Sequence, residues 1–261
     1  MNLKKNGISV TILGSGTCVP SLRRNPCSVL METGGENLVF DCGPGIMSRL
    51  LQADTSIFEV SFIFLSHFHP DHSGELASFL FANKYADGSL RKHPLTLAGG
   101  KGFSDFYGKL RNVYGRWIEL HPGLLNIVEL DSRGADVRKF DNFTLASVPT
   151  EHNDESIAYR ITASEGSSAV YSGDTDFSEN LISLAKDAEL LICESAFPDE
   201  LKVKGHLTPS LAGEIATKAN VGKLVLTHFY PVCDNADIEK QCRKTYSGPL
   251  LLAEDLMKIK I

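Results

Sequence analysis

The sequence predicts an α/β fold in which two β-sheets pack face to face with helices outside. Three observations carry this expectation. Short apolar runs of strand length recur in both halves, at Ser61–Ser66, Leu190–Glu194 and Lys223–Thr227, as expected of strands buried on both faces. Segments of helical periodicity separate them. No Pro/Ser-rich linker or low-complexity tract interrupts the 261 residues, so one domain spanning 1–261 is expected.

The elements follow in order. Ile8–Leu13 alternates like a strand and runs into the glycine-rich loop Gly14-Ser15-Gly16-Thr17. Cys27–Glu32 and Glu36–Asp41 flank Thr33-Gly34-Gly35 and read as a hairpin. Asp41-Cys42-Gly43-Pro44-Gly45 ends that strand, and Ile46–Ala53 suits a short helix. After Ser61–Ser66, helical spacing over Ser73–Tyr85 sets Leu76, Phe79 and Leu80 on one face. Pro94–Ala98 is a strand and Phe103–Val113 a helix. In the second half strands are expected at 126–130, 136–149, 156–163 and 168–172, with a turn at Glu165-Gly166. Helices at Asn180–Ala188 and Pro209–Asn220 alternate with the two buried strands. A helix near 236–243 and a strand at 249–253 complete the chain.

Composition narrows the function. Hydrophobic residues at 43% and charged residues at 22% exclude a disordered chain. A net charge of −6 excludes a chain-wide basic footprint for nucleic acid and leaves only a local patch open. No apolar run approaches the roughly 18–20 residues that cross a bilayer. Met1–Gly7 is polar and lacks the apolar core of a signal peptide, so a cytoplasmic protein without membrane partners is expected. The six cysteines are scattered, with no CxxC pair, and read as reduced thiols, most of them small core residues.

The chemistry concentrates in His67-Phe68-His69-Pro70-Asp71-His72, directly after an apolar strand. His67 and His69, two apart, project to one side of extended chain. Asp71 and His72 can reach a second point after a turn. Imidazoles and a carboxylate form a ligand set for zinc, manganese or iron. Four ligands do not complete two sites, and three more candidates stand just past apolar strands: His152, Asp174 and His228.

This ordered pattern, HxHxDH, His, Ser-Gly-Asp-Thr and Thr-His-Phe, resembles the metallo-β-lactamase superfamily over nearly the whole chain. Within it the sequence is most similar to the ribonuclease Z branch, through Leu13–Thr17, Phe40–Gly45, Pro94–Leu97, Cys193–Phe197, Leu226–Phe229 and above all Gly205-His206-Leu207-Thr208. The resemblance implies an αββα sandwich. It implies two divalent metal ions, zinc first, with manganese or iron as alternatives. One would be held by His67, His69 and His152, the other by Asp71, His72 and His228, with Asp174 bridging. It further implies a metal-bound hydroxide that cleaves phosphodiester bonds of RNA or a small nucleotide-like substrate, and a homodimer. Asp71 would double as proton acceptor, His206 would serve the leaving oxygen, and Glu194 would orient His206.

The chain departs from that branch in two places. Asn153–Gly173 leaves no room for the long arm with which ribonuclease Z grips tRNA. After His228 stands Phe229-Tyr230-Pro231-Val232-Cys233, without the branch's following Ser-x-Arg-Tyr. A local basic patch at 84–118 (Lys84, Arg91, Lys92, Lys101, Lys109, Arg111, Arg116) interleaves with Tyr107, Tyr114 and Trp117, and either binds a phosphodiester strand or is a solvated helical face. Arg23, Arg24 and Asn83 are candidates for the mouth of the site. Hydrolysis of a lactone, thioester or sulfate ester and a non-catalytic metal-binding role stand as alternatives.

Overall fold

The computed structural model describes residues 7–85 and 91–261. Two seven-stranded sheets dominate it. The first is built from β1 (Ser9–Gly14), β2 (Ser28–Thr33), β3 (Glu36–Phe40), β4 (Val60–Leu65), β5 (Leu95–Gly99) and β6 (Leu125–Glu129), side by side in chain order. The second holds β7 (Asp136–Lys139), β8 (Phe143–Pro149), β9 (Ile157–Ala163), β10 (Ser168–Tyr171), β11 (Leu190–Glu194), β12 (Leu224–Thr227) and β13 (Leu250–Leu252) in the same manner. The last strand, β14 (Lys258–Lys260), returns to the first sheet and pairs antiparallel with β1.

Each sheet begins antiparallel and turns parallel. β1, β2 and β3 alternate, whereas β3, β4, β5 and β6 run together. β7 to β10 alternate, whereas β10 to β13 run together. Parallel strands gather their carboxyl ends at one edge, the usual place for a site in such sheets.

Period-two alternation assigns the faces. On β4, Phe62 meets Phe140 and Phe143 of the second sheet at ring distances of 5.0 and 5.3 Å, and Phe64 meets Tyr159 at 5.5 Å. The intervening Ile63 and Leu65 join the apolar cluster on the outer side. There α1 (Ile46–Gln52), α3 (Leu76–Tyr85) and α4 (Phe103–Tyr114) bury Leu50, Phe79, Leu80 and Phe103. On the far side α5 (Glu179–Ala185) and α6 (Pro209–Lys218) bury Leu181 and Ile215 against the second sheet. The layers are therefore helix, sheet, sheet, helix, as the sequence led one to expect.

Three local expectations are corrected. The strand expected at 136–149 is a hairpin, because Phe140 N–H bonds the Phe143 carbonyl at 2.9 Å and turns the chain. The helix expected over 73–85 begins at Leu76; residues 70–73 form their own turn, α2 (Pro70–Ser73), led by Pro70. α7 (Ile238–Cys242) is shorter than expected, since the Asp237 carboxylate caps the Lys240 N–H at 2.9 Å and fixes the start. Strand β14 was not anticipated, as three residues of alternating pattern carry too little signal.

The segment before β14 stitches the first sheet's loops. The Asp255 carboxylate accepts from Ser15 N–H (2.9 Å), Ser15 Oγ (2.8 Å), Asn25 N–H (2.8 Å) and the Arg49 guanidinium (2.9 Å).

Candidate metal centre

The loop after β4 approaches the turn after β3 closely. A Cβ on Gly43 would lie 2.0 Å from the Asp71 carbonyl oxygen, so only glycine allows this contact. Cys42 N–H bonds the His72 carbonyl at 2.6 Å and seats the loop. His67, His69, Asp71 and His72 are thus presented from one short segment. The second sheet supplies His152 beyond β8, Asp174 beyond β10 and His228 beyond β12.

These side chains converge. Ligand atoms of His67, His69, His152 and Asp174 lie within 4.8 Å of one another, and so do those of Asp71, His72 and His228. A third group, Asp174, His206 and His228, meets the same criterion. Asp174 stands between the first two. Its Oδ2 lies 3.7 Å from His67 Nε2 and 3.9 Å from His152 Nε2, while its Oδ1 lies 3.4 Å from both His72 Nε2 and His228 Nε2. One carboxylate oxygen faces each cluster.

The donor set fits divalent cations. Asp174 Oδ1 is buried without a hydrogen-bond partner, a costly state for a carboxylate that a cation would relieve. Four of the candidate imidazoles, His67, His69, His72 and His152, have partners at their other ring nitrogens, whereas His228 Nδ1 is buried without one. His67 Nδ1 is 3.0 Å from Ser66 Oγ, His72 Nδ1 donates to Asp41 at 2.7 Å and His152 Nδ1 donates to the Gly205 carbonyl at 2.9 Å. His69 turns Nδ1 inward, 2.9 Å from His67 Nε2, with Nε2 3.3 Å from Asn153. His228 sits at a φ of 60°, a strained left-handed conformation that aims its ring inward. Outer partners of this kind fix the tautomer and leave the inner nitrogen free to coordinate.

Electrostatics follow the same logic. Burial, reinforced by the neighbouring His72, pushes His67 well below the ordinary imidazole range, toward the neutral form that binds metal. Burial works against ionisation of Asp174, yet His228 and His72 outweigh it and hold the carboxyl well below its usual range. Burial likewise opposes ionisation of Asp71, but a hydrogen bond from His228 and the charge of His72 bring it down to about 2.

His206 and Glu194 come together beside these clusters. Glu194, buried at the end of β11, accepts from His206 Nδ1 at 3.1 Å, from Thr175 N–H at 2.7 Å and from Leu207 N–H at 3.0 Å. It ties the Asp174 loop to the loop of His206. His206 Nδ1 also lies 3.9 Å from Asp174 Oδ2. Burial lowers the His206 pKa, but the Glu194 hydrogen bond and charge together with Asp174 raise it above its usual value. Gly205, at a φ of 86°, gives this loop its turn, and its N–H bonds Asp176 at 2.9 Å.

Asp41 was not singled out from the sequence as a site residue. It is buried and also left-handed, at a φ of 62°, and it accepts four hydrogen bonds. They come from Ser66 N–H (2.7 Å), Ser66 Oγ (2.9 Å), His72 Nδ1 (2.7 Å) and Tyr171 Oη (2.6 Å). Its place in the turn Asp41–Gly45 was the available signal.

Several candidates for substrate contact lie elsewhere. Asn83 is buried, donates to the Phe79 carbonyl at 2.9 Å and accepts from Arg91, so it does not line the mouth. Arg91 is itself buried, with its guanidinium on Asn83 and on the His93, Ile57 and Val60 carbonyls. Lys109 pairs with Asp105 at 2.7 Å and Arg111 with Glu119 at 2.5 Å. The basic stretch is therefore in good part a paired surface and a structural arginine. Arg24 bonds Ser15 Oγ and the Ala253 carbonyl and covers the Phe229 ring, whereas Arg23 is exposed. Lys101 lines a groove of about 810 Å³ that reaches His152.

A four-layer sandwich with histidines and aspartates at the carboxyl ends of its strands defines a class of metal-binding proteins, and the family comparison agrees. The beta-lactamase superfamily domain matches residues 36–229, and the chain belongs to that superfamily. Among curated relatives it is 26% identical to a ribonuclease Z of Methanosarcina acetivorans, covering 97% of this chain and 98% of the relative. That alignment runs over 310 positions against the 261 residues here, so the relative carries at least 49 that this chain lacks. Among solved structures, the metallo-beta-lactamase fold protein YhfI from Bacillus subtilis superposes with a TM-score of 0.83 at 25% identity, covering 98% of this chain and 100% of that one. The short form of human tRNase Z superposes at 0.77, also at 25% identity, covering 96% and 98%.

Proposed function

We propose that the protein is a metal-dependent hydrolase of phosphodiester bonds, acting on RNA or on a small nucleotide-like diester. The observation that carries this reading is the His206–Glu194 pair set against Asp174, since cleavage of a diester needs a proton for its leaving oxygen. Ribonuclease Z relatives over almost the full chain support it. In this reading two divalent ions, zinc first, would be held, one by His67, His69 and His152 and the other by Asp71, His72 and His228, with Asp174 available to both. Such ions neutralise phosphate charge and make a water acidic enough to attack near neutral pH.

The protein's own groups divide the remaining work. Asp71, which lines a pocket of about 360 Å³, would take the proton of the attacking water. His206, kept protonated by Glu194, donates to the leaving oxygen. Asp41 holds His72 and leaves its Nε2 directed at Asp174. The 261 residues act as one domain. The hairpin β9–β10 fills the span between His152 and Asp174, so affinity for tRNA cannot come from an arm there, and small or unstructured diesters are the preferred substrates.

The protein assembles as a homodimer. Phe81, Val113, Tyr114 and Trp117, 46–75% exposed on and beside α3 and α4, supply an apolar face for it, and light scattering checks the mass.

The test is turnover of a chromogenic phosphodiester, a phosphomonoester and a lactone by zinc- or manganese-loaded protein, with precursor tRNA alongside. Diester hydrolysis above the other two is expected, with a low kcat/KM on the tRNA precursor. A preference for the lactone would sink the reading, and efficient 3′-end cleavage of precursor tRNA would overturn the small-substrate part.

A further inference from the structure

An aromatic pair stands over the proton-donating side of the site. Phe197, just past β11, and Tyr230, just past β12, stack with ring centroids 4.4 Å apart and planes inclined by 19°. Tyr230 N–H bonds the Ala196 carbonyl at 3.2 Å, so the two loops carry the rings as one unit. Both residues are half-buried. They are not sealed in the interior as Phe40 and Tyr159 are.

The pair adjoins the reacting groups. His206 lies 6.0 Å from the Phe197 ring and 6.4 Å from the Tyr230 ring, and His228 lies 6.2 Å from Tyr230. The phenol reaches Cys18 Sγ at 3.6 Å, and Cys18 shares a pocket of about 360 Å³ with Asp71. Tyr230 therefore spans from the His206 side of the site to the Asp71 side.

We propose that Tyr230, backed by Phe197, is a substrate-positioning residue that stacks on a nucleobase flanking the scissile phosphate. This rests on the phosphodiesterase reading and names its substrate class as base-bearing nucleotides. Aromatic faces accept any base, and stacking of this kind accounts for much of single-strand affinity without sequence preference. With a net charge of −6 and Lys109 and Arg111 of the basic patch paired with carboxylates, long-range attraction to a polyanion is weakened, and short-range stacking adds a contact that does not depend on charge.

The experiment measures KM and kcat of metal-loaded protein on uridylyl-adenosine and on two analogues in which one nucleoside or the other is an abasic ribose. Loss of the stacked base raises KM by about 5- to 150-fold for the wild type, the range expected of one base–aromatic contact, with kcat little changed. Tyr230→Phe keeps that discrimination, and Tyr230→Leu erases it, its KM on the intact dinucleotide rising to that on the abasic analogue. Equal treatment of all three substrates by the wild type would overturn the proposal, as would discrimination that survives in Tyr230→Leu. Failure of the wild type on every diester would instead remove the phosphodiesterase reading, and the proposal with it.

Discussion

Asp41 and Glu194 occupy comparable places in the two sheets. Each stands at the end of a strand, β3 or β11, that pairs in parallel with a histidine-bearing neighbour, β4 or β12. Each is buried and takes a histidine Nδ1, His72 at 2.7 Å and His206 at 3.1 Å. Their burdens differ. Asp41 grips side chains from both sheets, including Tyr171 of β10, and its histidine is sealed with Nε2 among the would-be ligands. Glu194 grips two backbone N–H groups of its own half, and its histidine remains partly open. In the proposed mechanism the same device would hold a ligand in one sheet and a proton carrier in the other. What separates the roles is how far the histidine's far nitrogen is enclosed.

Substitutions can break or sharpen that comparison. The largest effect is expected at Asp174, which serves both halves. Asp174→Ala should lose metal from both clusters and reduce the rate by more than the roughly 100-fold upper end seen for outer partners. Elemental analysis beside His152→Ala checks it, and an equal, mild loss in the two variants would mean that the bridge is misassigned. His206→Ala comes next. It should keep its metals yet lose about 10²- to 10⁴-fold in kcat, most on diesters with poor leaving groups. Metal loss on this change would make His206 a ligand and collapse the contrast with His72.

The two carboxylates then separate directly. Asp41→Asn should weaken metal affinity about 10- to 100-fold, since the His72 ring loses its charged anchor. Glu194→Gln should leave metal content unchanged and shift the pH profile instead. Glu194 raises the His206 pKa, so its removal lowers that pKa. The proton-carrying form then disappears at a lower pH, and the alkaline limb of kcat moves down. An unmoved limb would show that Glu194 only braces the loops. The smallest effect is expected of Tyr171→Phe. It removes one of Asp41's four donors and should cost about 1 kcal/mol of stability in denaturant melts, with the metals retained.

Much of the candidate site was legible because the residues that converge there follow apolar strands. His67, His152, Asp174 and His228 each stand a few residues past such a run, where a rigid backbone meets an open edge. Glu194 was readable for the same reason. Asp41 also follows a strand, but its work is a contact with Tyr171, 130 residues away, and no local pattern encodes that pairing. Arg91 and Asn83 misled for the opposite reason. A polar residue beside a helix end looks solvent-facing until backbone carbonyls at Ile57, Val60 and His93 are found to satisfy it. Strand spacing gave the layers, whereas the break at Phe140–Phe143 depends on a single backbone bond.

The return of β14 to β1 has a consequence for how the chain is made. Thr11 pairs with Lys258, so β1 waits for a partner synthesised 247 residues after it. Until then the loop of Ser15 and Asn25 lacks Asp255, which fixes it. Closing a contact of such separation is slow, and its reward arrives only when both sheets exist. A nascent chain released at residue 252 would carry every histidine of the site and still leave the wall beside Asp71 unbraced. Competence should appear abruptly in a truncation series between residues 252 and 261, even though none of the residues added touches the chemistry.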